Sequence, residues 1–181
     1  AMHGLGIPTT RALFMVSAKD PVRRESIETA AALVRVAQSH IRFGHFEFAA
    51  HHEGPESVKT LLEHVISLHF PHLINLPDDD RYARWFEEVV ERTARTIADW
   101  QAVGFCHGVM NSDNMSIIGD TFDYGPFAFL DDFDAGYISN HTDQGGRYAY
   151  SRQPQVGFEN CRYLATALLP VMEEEPLVVQ Q

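Results

Sequence analysis

The strongest pattern in the sequence lies in "LPDDDRYARWFEEVVERTARTIADWQAVG". Tyr82, Trp85, Phe86, Val89, Val90, Ile97, Trp100 and Val103 form one apolar stripe within it. Side chains three and four apart share a helix face, so a long amphipathic helix with one buried side is expected. An aspartate cluster marks its start and Gly104 its end. The opposite face mixes both charge signs, which reads as a solvated face and not as a nucleic-acid surface. Directly after this helix comes "CHGVMNSDNMSIIGDTFDYGPFAFLDDFD", from Cys106 to Asp134. It holds six aspartates, Asp113, Asp120, Asp123, Asp131, Asp132 and Asp134. Crowded carboxylates repel, and burying one is costly unless it is paired or metal-bound. Either these are mostly solvated loop residues, or some of them hold a cation.

The rest of the chain supplies partners for the helix. "TRALFMVSA" (10–18) and "AAALVRVA" (30–37) read as short buried strands, and the turn-like "KDPVRRES" between them makes an antiparallel pair. "SHIRFGHFEFAAHH" is expected to open a helix capped at Ser39. "PESVKTLLEHVISLHFPHL" (55–73) has helical apolar spacing and should end at Pro71. "MSIIG" and "FAFLDDF" read as short strands, with turns at Gly119-Asp120 and Gly125-Pro126. "NHTDQGGRYAYSRQP" reads as loop. "VGFENCRYLATALLP" (156–170) reads as a helix with Phe158, Cys161, Leu164, Ala165 and Leu168 inward.

The totals exclude several classes. With 181 residues, 45% of them apolar, the chain suits one domain or one lobe of a larger one. A net charge of −11 lacks the basic stripe of a nonspecific nucleic-acid binder. Two cysteines, Cys106 and Cys161, with no CxxC, fit neither a disulfide framework nor a zinc knuckle, and suit a reducing compartment. No apolar run approaches the ~20 residues of a membrane span. The opening "AMHGLGIPTTRALF" is no signal peptide and reads like the middle of a domain. The closing "LLPVMEEEPLVVQQ" reads like a helix cut short, so the sequence is expected to be an internal piece of a longer domain.

A long helix, a loop with His, Asp and Asn, a short hairpin and then Asp-Tyr-Gly is the order of a protein-kinase catalytic loop and its metal-binding turn. The kinase loop reads H-R-D-x-x-x-x-N. Here it becomes His107, Gly108, Val109 and, at the matching place, Asn114, with Val109 where the base aspartate would stand. Asp123-Tyr124-Gly125 follows nine residues after Asn114. Hard cations take oxygen ligands, and a carboxylate with an amide carbonyl suffices when phosphates and water complete the shell. Asn114 and Asp123 would supply that pair, and Asp113 could stand in for the missing base.

The wording is more specific than a generic kinase. "HGVMNSDNMSIIGDTFDYGPFAFLDDFDAGYISNHTDQGGRYAYSRQPQVGFEN", "GLGIPTTRAL" and "RVAQSHIRFGHFE" resemble the selenoprotein O family (bacterial YdiU-type proteins), in order along nearly the whole chain. The likeness is weakest around 50–80. It implies an α+β, protein-kinase-like fold of pseudokinase type: residues 1–38 as remnants of the small-lobe strands and hinge, 39–181 as the helical large lobe, with the catalytic loop at 107–114 and the Asp-Tyr-Gly turn at 123–125. It implies transfer of AMP from ATP to Ser, Thr or Tyr hydroxyls of proteins, or of UMP from UTP to Tyr or His, using Mg2+ or Mn2+. In the family the nucleotide binds flipped relative to kinases, with its α-phosphate facing the acceptor. Carried over, Asp113 is the proton acceptor, Asn114 and Asp123 are metal ligands, and Arg35 and Arg42 contact phosphate. The likeness also implies a cytoplasmic protein if bacterial, or a mitochondrial one if eukaryotic.

The family's glycine-rich nucleotide loop, its lysine and its helix glutamate would lie upstream of Ala1, and any selenocysteine beyond Gln181. The chain by itself is therefore expected to show little or no transfer. Each site residue also has a plainer reading: a turn aspartate for Asp123, a loop cap for Asp113 or Asn114, an ion pair for Arg35 or Arg42. His107 reads as structural, and the other histidines match no zinc pattern. Two other functions compete. An ordinary phosphotransferase is opposed by Val109, and a catalytically dead nucleotide-binding module is opposed by retention of Asn114 and Asp123. The sequence does not choose the protein substrate, the nucleobase or the metal.

Overall fold

The computed structural model describes residues 1–23 and 26–172. Of the turn expected at 19–26, residues 19–23 instead continue the first strand, while Arg24 and Glu25 lie outside the described residues, as does the end of the last helix from Glu173 onward. The architecture is α+β, with two small antiparallel sheets and four α-helices among the described residues. Strands β1 (Arg11–Arg23) and β2 (Ile27–Val36) form a hairpin that pairs Arg11 with Val36 and Arg23 with Ile27. Helices α1 (Phe43–Phe48), α2 (Pro55–His69), α3 (Asp78–Ala102) and α4 (Gln153–Met172) make the body. Between α3 and α4, β3 (Phe105–Cys106) pairs with β4 (Ala128–Phe129). None of these helices is long and apolar enough to cross a membrane.

The helix boundaries follow local chemistry. Pro55 opens α2, where a missing N–H costs nothing, and Pro71 prevents its continuation past Phe70. Three aspartates in the first turn of α3 complement its dipole. Gly104 adopts φ 68, the left-handed conformation that turns the chain from α3 into β3. The α3 stripe packs as its spacing predicts, with Tyr82, Trp85, Val89, Ile97 and Trp100 buried. Trp85 sits 5.5 Å from the Phe46 ring and 6.2 Å from the Phe70 ring. Gly157 lets α4 press on α3, since a Cβ there would lie 2.2 Å from Ile97 Cδ1.

Four other expectations fail. The strands of the hairpin form but are not buried: Leu13 is 66% and Met15 69% exposed, because among the described residues neither face of the hairpin is covered. The first helix is not capped at Ser39. Residues 41–43 first pair with 115–117, through Phe43 N–H to the Met115 carbonyl (3.0 Å) and Ile117 N–H to the Ile41 carbonyl (3.1 Å), so the helix starts only after Arg42. That pairing also replaces the strand expected at "MSIIG", which contributes a single bridge between Ser116 and Arg42 and no hairpin. Phe158 points outward, 59% exposed, while Val156, Asn160 and Ala167 share the buried face with Cys161, Leu164 and Leu168.

Candidate active site

The segment 107–127 leaves β3 and returns at β4 with almost no regular structure, yet buried side chains hold it at many points. Gln153, fully buried at the start of α4, bridges two backbone groups: its Oε1 accepts from His107 N–H (2.9 Å) and its Nε2 donates to the Phe105 carbonyl (2.9 Å). Asn160 Nδ2 donates to the Met110 carbonyl at 2.7 Å. From α3, Thr96 Oγ1 donates to the Gly119 carbonyl (2.6 Å) and Trp100 Nε1 to Thr121 Oγ1 (2.8 Å). His107 is 1% exposed, and its Nε2 lies 3.0 Å from the Phe122 carbonyl. A carbonyl only accepts, so Nε2 carries the proton. Burial holds this imidazole below the usual histidine range, against the pull of the Phe122 bond and the Asp123 charge, and keeps it neutral. His107 thus supports the turn from beneath, as the sequence suggests.

Asp123 is the one non-glycine described residue with a left-handed backbone, φ 58. Such a residue persists when its surroundings over-determine it. It is exposed, and Gly125 N–H donates to its carbonyl at 2.8 Å. Both predicted arginines stack on its neighbours. The Arg42 guanidinium lies 5.2 Å from the Phe122 ring centre and the Arg35 guanidinium 4.4 Å from that of Tyr124. Arg35 is also held by Thr10 Oγ1, with Nε at 2.9 Å and a second nitrogen bonded to the same oxygen. Among the described residues neither arginine pairs with a carboxylate. Asn114 Nδ2 donates to the Val109 carbonyl (2.9 Å), which closes the loop and leaves Oδ1 as a free acceptor among the described residues. Asp113 is exposed and lies against α1, where a Cβ on Gly44 would stand 2.1 Å from its Oδ1.

The 41–43/115–117 pairing sets Arg42 beside the segment that carries Asp113 and Asn114, while Arg35 reaches the turn through Tyr124. Asn114 and Asp123 share no hydrogen bond. A cleft of about 490 Å³ between the hairpin and the turn is lined by Thr9, Thr10, Leu33, Arg35, Tyr124 and Phe127, among others. Arg35 is the single predicted site residue on its wall; the other four lie outside it. Among the described residues no group of three or more His, Cys, Asp or Glu is placed to hold a metal. The expected donor pair is of another kind. One exposed carboxylate at Asp123, bonded to no described donor, and one free amide oxygen at Asn114 are hard oxygen donors, the type that Mg2+ or Mn2+ takes. Asp120 departs from the picture of solvated loop aspartates: it is half-buried, and burial pushes its carboxyl up.

The sequence reading missed Gln153, Asn160, Thr9 and Thr10. The only signal available was polar residues at core positions of a helical pattern, in the case of Gln153 and Asn160.

Comparison with known proteins agrees with the chain order. The family model described as "Protein adenylyltransferase SelO" matches residues 1–180. The chain is 59% identical over 175 residues to the protein nucleotidyltransferase YdiU of Myxococcus xanthus, covering 97% of this chain and 36% of that protein. It is 57% identical over 177 residues to the protein of the same name from Cronobacter sakazakii, covering 98% and 36%. It is 54% identical over 177 residues to that of Klebsiella pneumoniae, again covering 98% and 36%. The chain thus spans 36% of the length of these relatives. A match from end to end at these identities places the chain in the selenoprotein O family.

Proposed function

We propose that this chain carries the catalytic loop (107–114) and metal-binding turn (123–125) of a kinase-like protein nucleotidyltransferase. In that reading residues 1–38 belong to the small-lobe strands and hinge, and 39–181 to the helical large lobe. The reaction is transfer of AMP from ATP to a Ser, Thr or Tyr hydroxyl, with UMP from UTP as its variant. One observation carries the proposal: two guanidiniums free of described carboxylates flank a strained, exposed aspartate. Guanidinium matches phosphate oxygens in charge and geometry, and the aspartate would suit a divalent cation.

The chain's residues then divide the work. Arg35 and Arg42 bind the phosphates and fix their position. Asn114 Oδ1 and the Asp123 carboxylate hold the cation, which when bound neutralises charge on the phosphate oxygens. Asp113 takes the hydroxyl proton as the acceptor oxygen bonds to the α-phosphorus. The bond from that phosphorus to the bridging oxygen breaks, and pyrophosphate leaves. Val109, apolar where a kinase has its base, cannot take this proton, which is why the role moves to Asp113.

The test is intact-mass analysis of the full-length protein with ATP and Mg2+ or Mn2+, beside an Asp123→Ala control. The expected result is added AMP, lost in the control. Added phosphate alone would make the protein a kinase, and bound nucleotide with no added mass would make it a binding module. The 181-residue chain alone is expected to transfer little or nothing.

A further inference from the structure

Asp123 holds a left-handed backbone, and among the described residues its own carboxylate makes no hydrogen bond that would fix it. On one side His107 holds the Phe122 carbonyl. On the other side the restraint comes from a distant segment, Pro8–Thr10. Two backbone bonds fasten that segment to the residue ahead of Phe122: Thr121 N–H to the Pro8 carbonyl (2.9 Å) and Thr10 N–H to the Thr121 carbonyl (3.0 Å). Its side chains then reach past the turn. Thr9 Oγ1 meets the Tyr124 hydroxyl and lies 3.2 Å from both the Thr121 and Thr10 carbonyls. Carbonyls only accept, so at those two contacts the Thr9 hydroxyl is the donor, while either hydroxyl can donate in its bond with Tyr124, which also pairs with the Thr121 side chain. Thr10 orients the Arg35 guanidinium, which lies over the Tyr124 ring. The circuit closes: Thr9, Tyr124, Arg35, Thr10. Two of the five guanidinium N–H donors are used on Thr10, which leaves three for a phosphate.

We infer that Thr9 is a positioning residue for the Asp-Tyr-Gly turn: through the Tyr124 hydroxyl it holds Asp123 in metal-binding conformation and ties that conformation to the pose of Arg35. The inference rests on the reading of Asp123 as a metal ligand. Thr9 is half-buried on the wall of the cleft and belongs to no apolar cluster, so its hydroxyl contributes to geometry more than to folding. Residues that orient ligands in this way act on metal affinity while touching neither metal nor substrate.

The experiment is Mn2+ binding by the full-length protein with a non-hydrolysable ATP analogue, read from the electron paramagnetic resonance signal of free Mn2+, which does not depend on turnover. Thr9→Val is expected to weaken Mn2+ binding by about tenfold, the size usual for loss of such an orienting partner. Thr9→Ser should restore it to within about twofold, and Tyr124→Phe should reproduce the Thr9→Val loss. The double variant should be no worse than either single one, because both remove the same bond. Asp123→Asn separates the two levels of the account. If it loses Mn2+ while Thr9→Val and Tyr124→Phe stay within twofold of the parent, the latch is wrong and the metal reading stands. Additive losses in the double variant also overturn the latch. If Asp123→Asn binds Mn2+ like the parent, the metal reading fails and the latch falls with it.

Discussion

The hairpin and the 107–127 loop are opposites in this molecule. The hairpin has long paired strands, nine registered pairs interrupted by two register shifts, and strong strand formers, yet its Leu13, Met15 and Ile27 face solvent. The loop has almost no regular structure, yet its carbonyls and N–H groups are met by Gln153, Asn160 and Thr96 from the body and by His107 within the loop itself. An isolated two-stranded ribbon is marginal in water because it has no face to bury. A loop whose polar groups are satisfied by buried partners is costly to disturb, since each broken bond strands a desolvated group. Regular structure and local stability are therefore separate properties here, and the proposed chemistry lies on the irregular but fastened segment.

The contrast can be broken by substitution. The largest effect is expected in the core of the helical body at Trp85, fully buried between Phe46 and Phe70. Trp85→Ala should cost about 3–5 kcal/mol in urea unfolding, as large-to-small core changes do. Gln153→Leu comes next. It orphans the His107 N–H and the Phe105 carbonyl together and should cost about 2–4 kcal/mol, toward the lower end of the roughly 1–3 for each stranded group. Hydrogen exchange should show that loss first at 105–110.

A pH effect should follow from His107. Its folded pKa lies below the unfolded value near 6.5, so between the two the unfolded chain binds more protons. Stability should then fall as pH drops below about 6.5, and the fall should shrink in His107→Gln. His69, also lowered by burial, leaves a smaller residual slope. The smallest effect belongs to the hairpin: Leu13→Thr or Met15→Thr should shift unfolding by less than about 0.5 kcal/mol. A loss comparable to Gln153→Leu would erase the contrast.

What the sequence discloses follows the same division. Helices α2 and α3 are legible because burial on one face leaves a 3–4 apolar spacing, and Pro71 and Gly104 punctuate them. The hairpin is legible as strands but not as exposed strands, since apolar composition alone does not say whether a partner covers it. The start of α1 is not legible at all. Arg42 takes it from Ser39 through pairing with Ser116, a partner far along the chain. Phe158 misleads because α4 buries Asn160 and Gly157 on the face where an aromatic would be expected. At the site, Asp123 and Asn114 stand out by spacing and resemblance. Thr9 and Thr10 do not, because nothing local distinguishes them from any Thr-Thr pair; their role exists only through Tyr124 and Arg35.

The central claim is that the Asp123 turn, Asn114 and the two arginines together hold a metal-bound triphosphate. The measurement that tests it most directly is a crystal structure of the full-length protein with Mn2+ and a non-hydrolysable ATP analogue, using manganese anomalous scattering to locate the cation. The account predicts one Mn2+ bound by Asn114 Oδ1 and an Asp123 carboxylate oxygen, with Arg35 and Arg42 on phosphate oxygens. Manganese held away from Asp123, or Asn114 and Asp123 turned to opposite sides of the nucleotide, would contradict it.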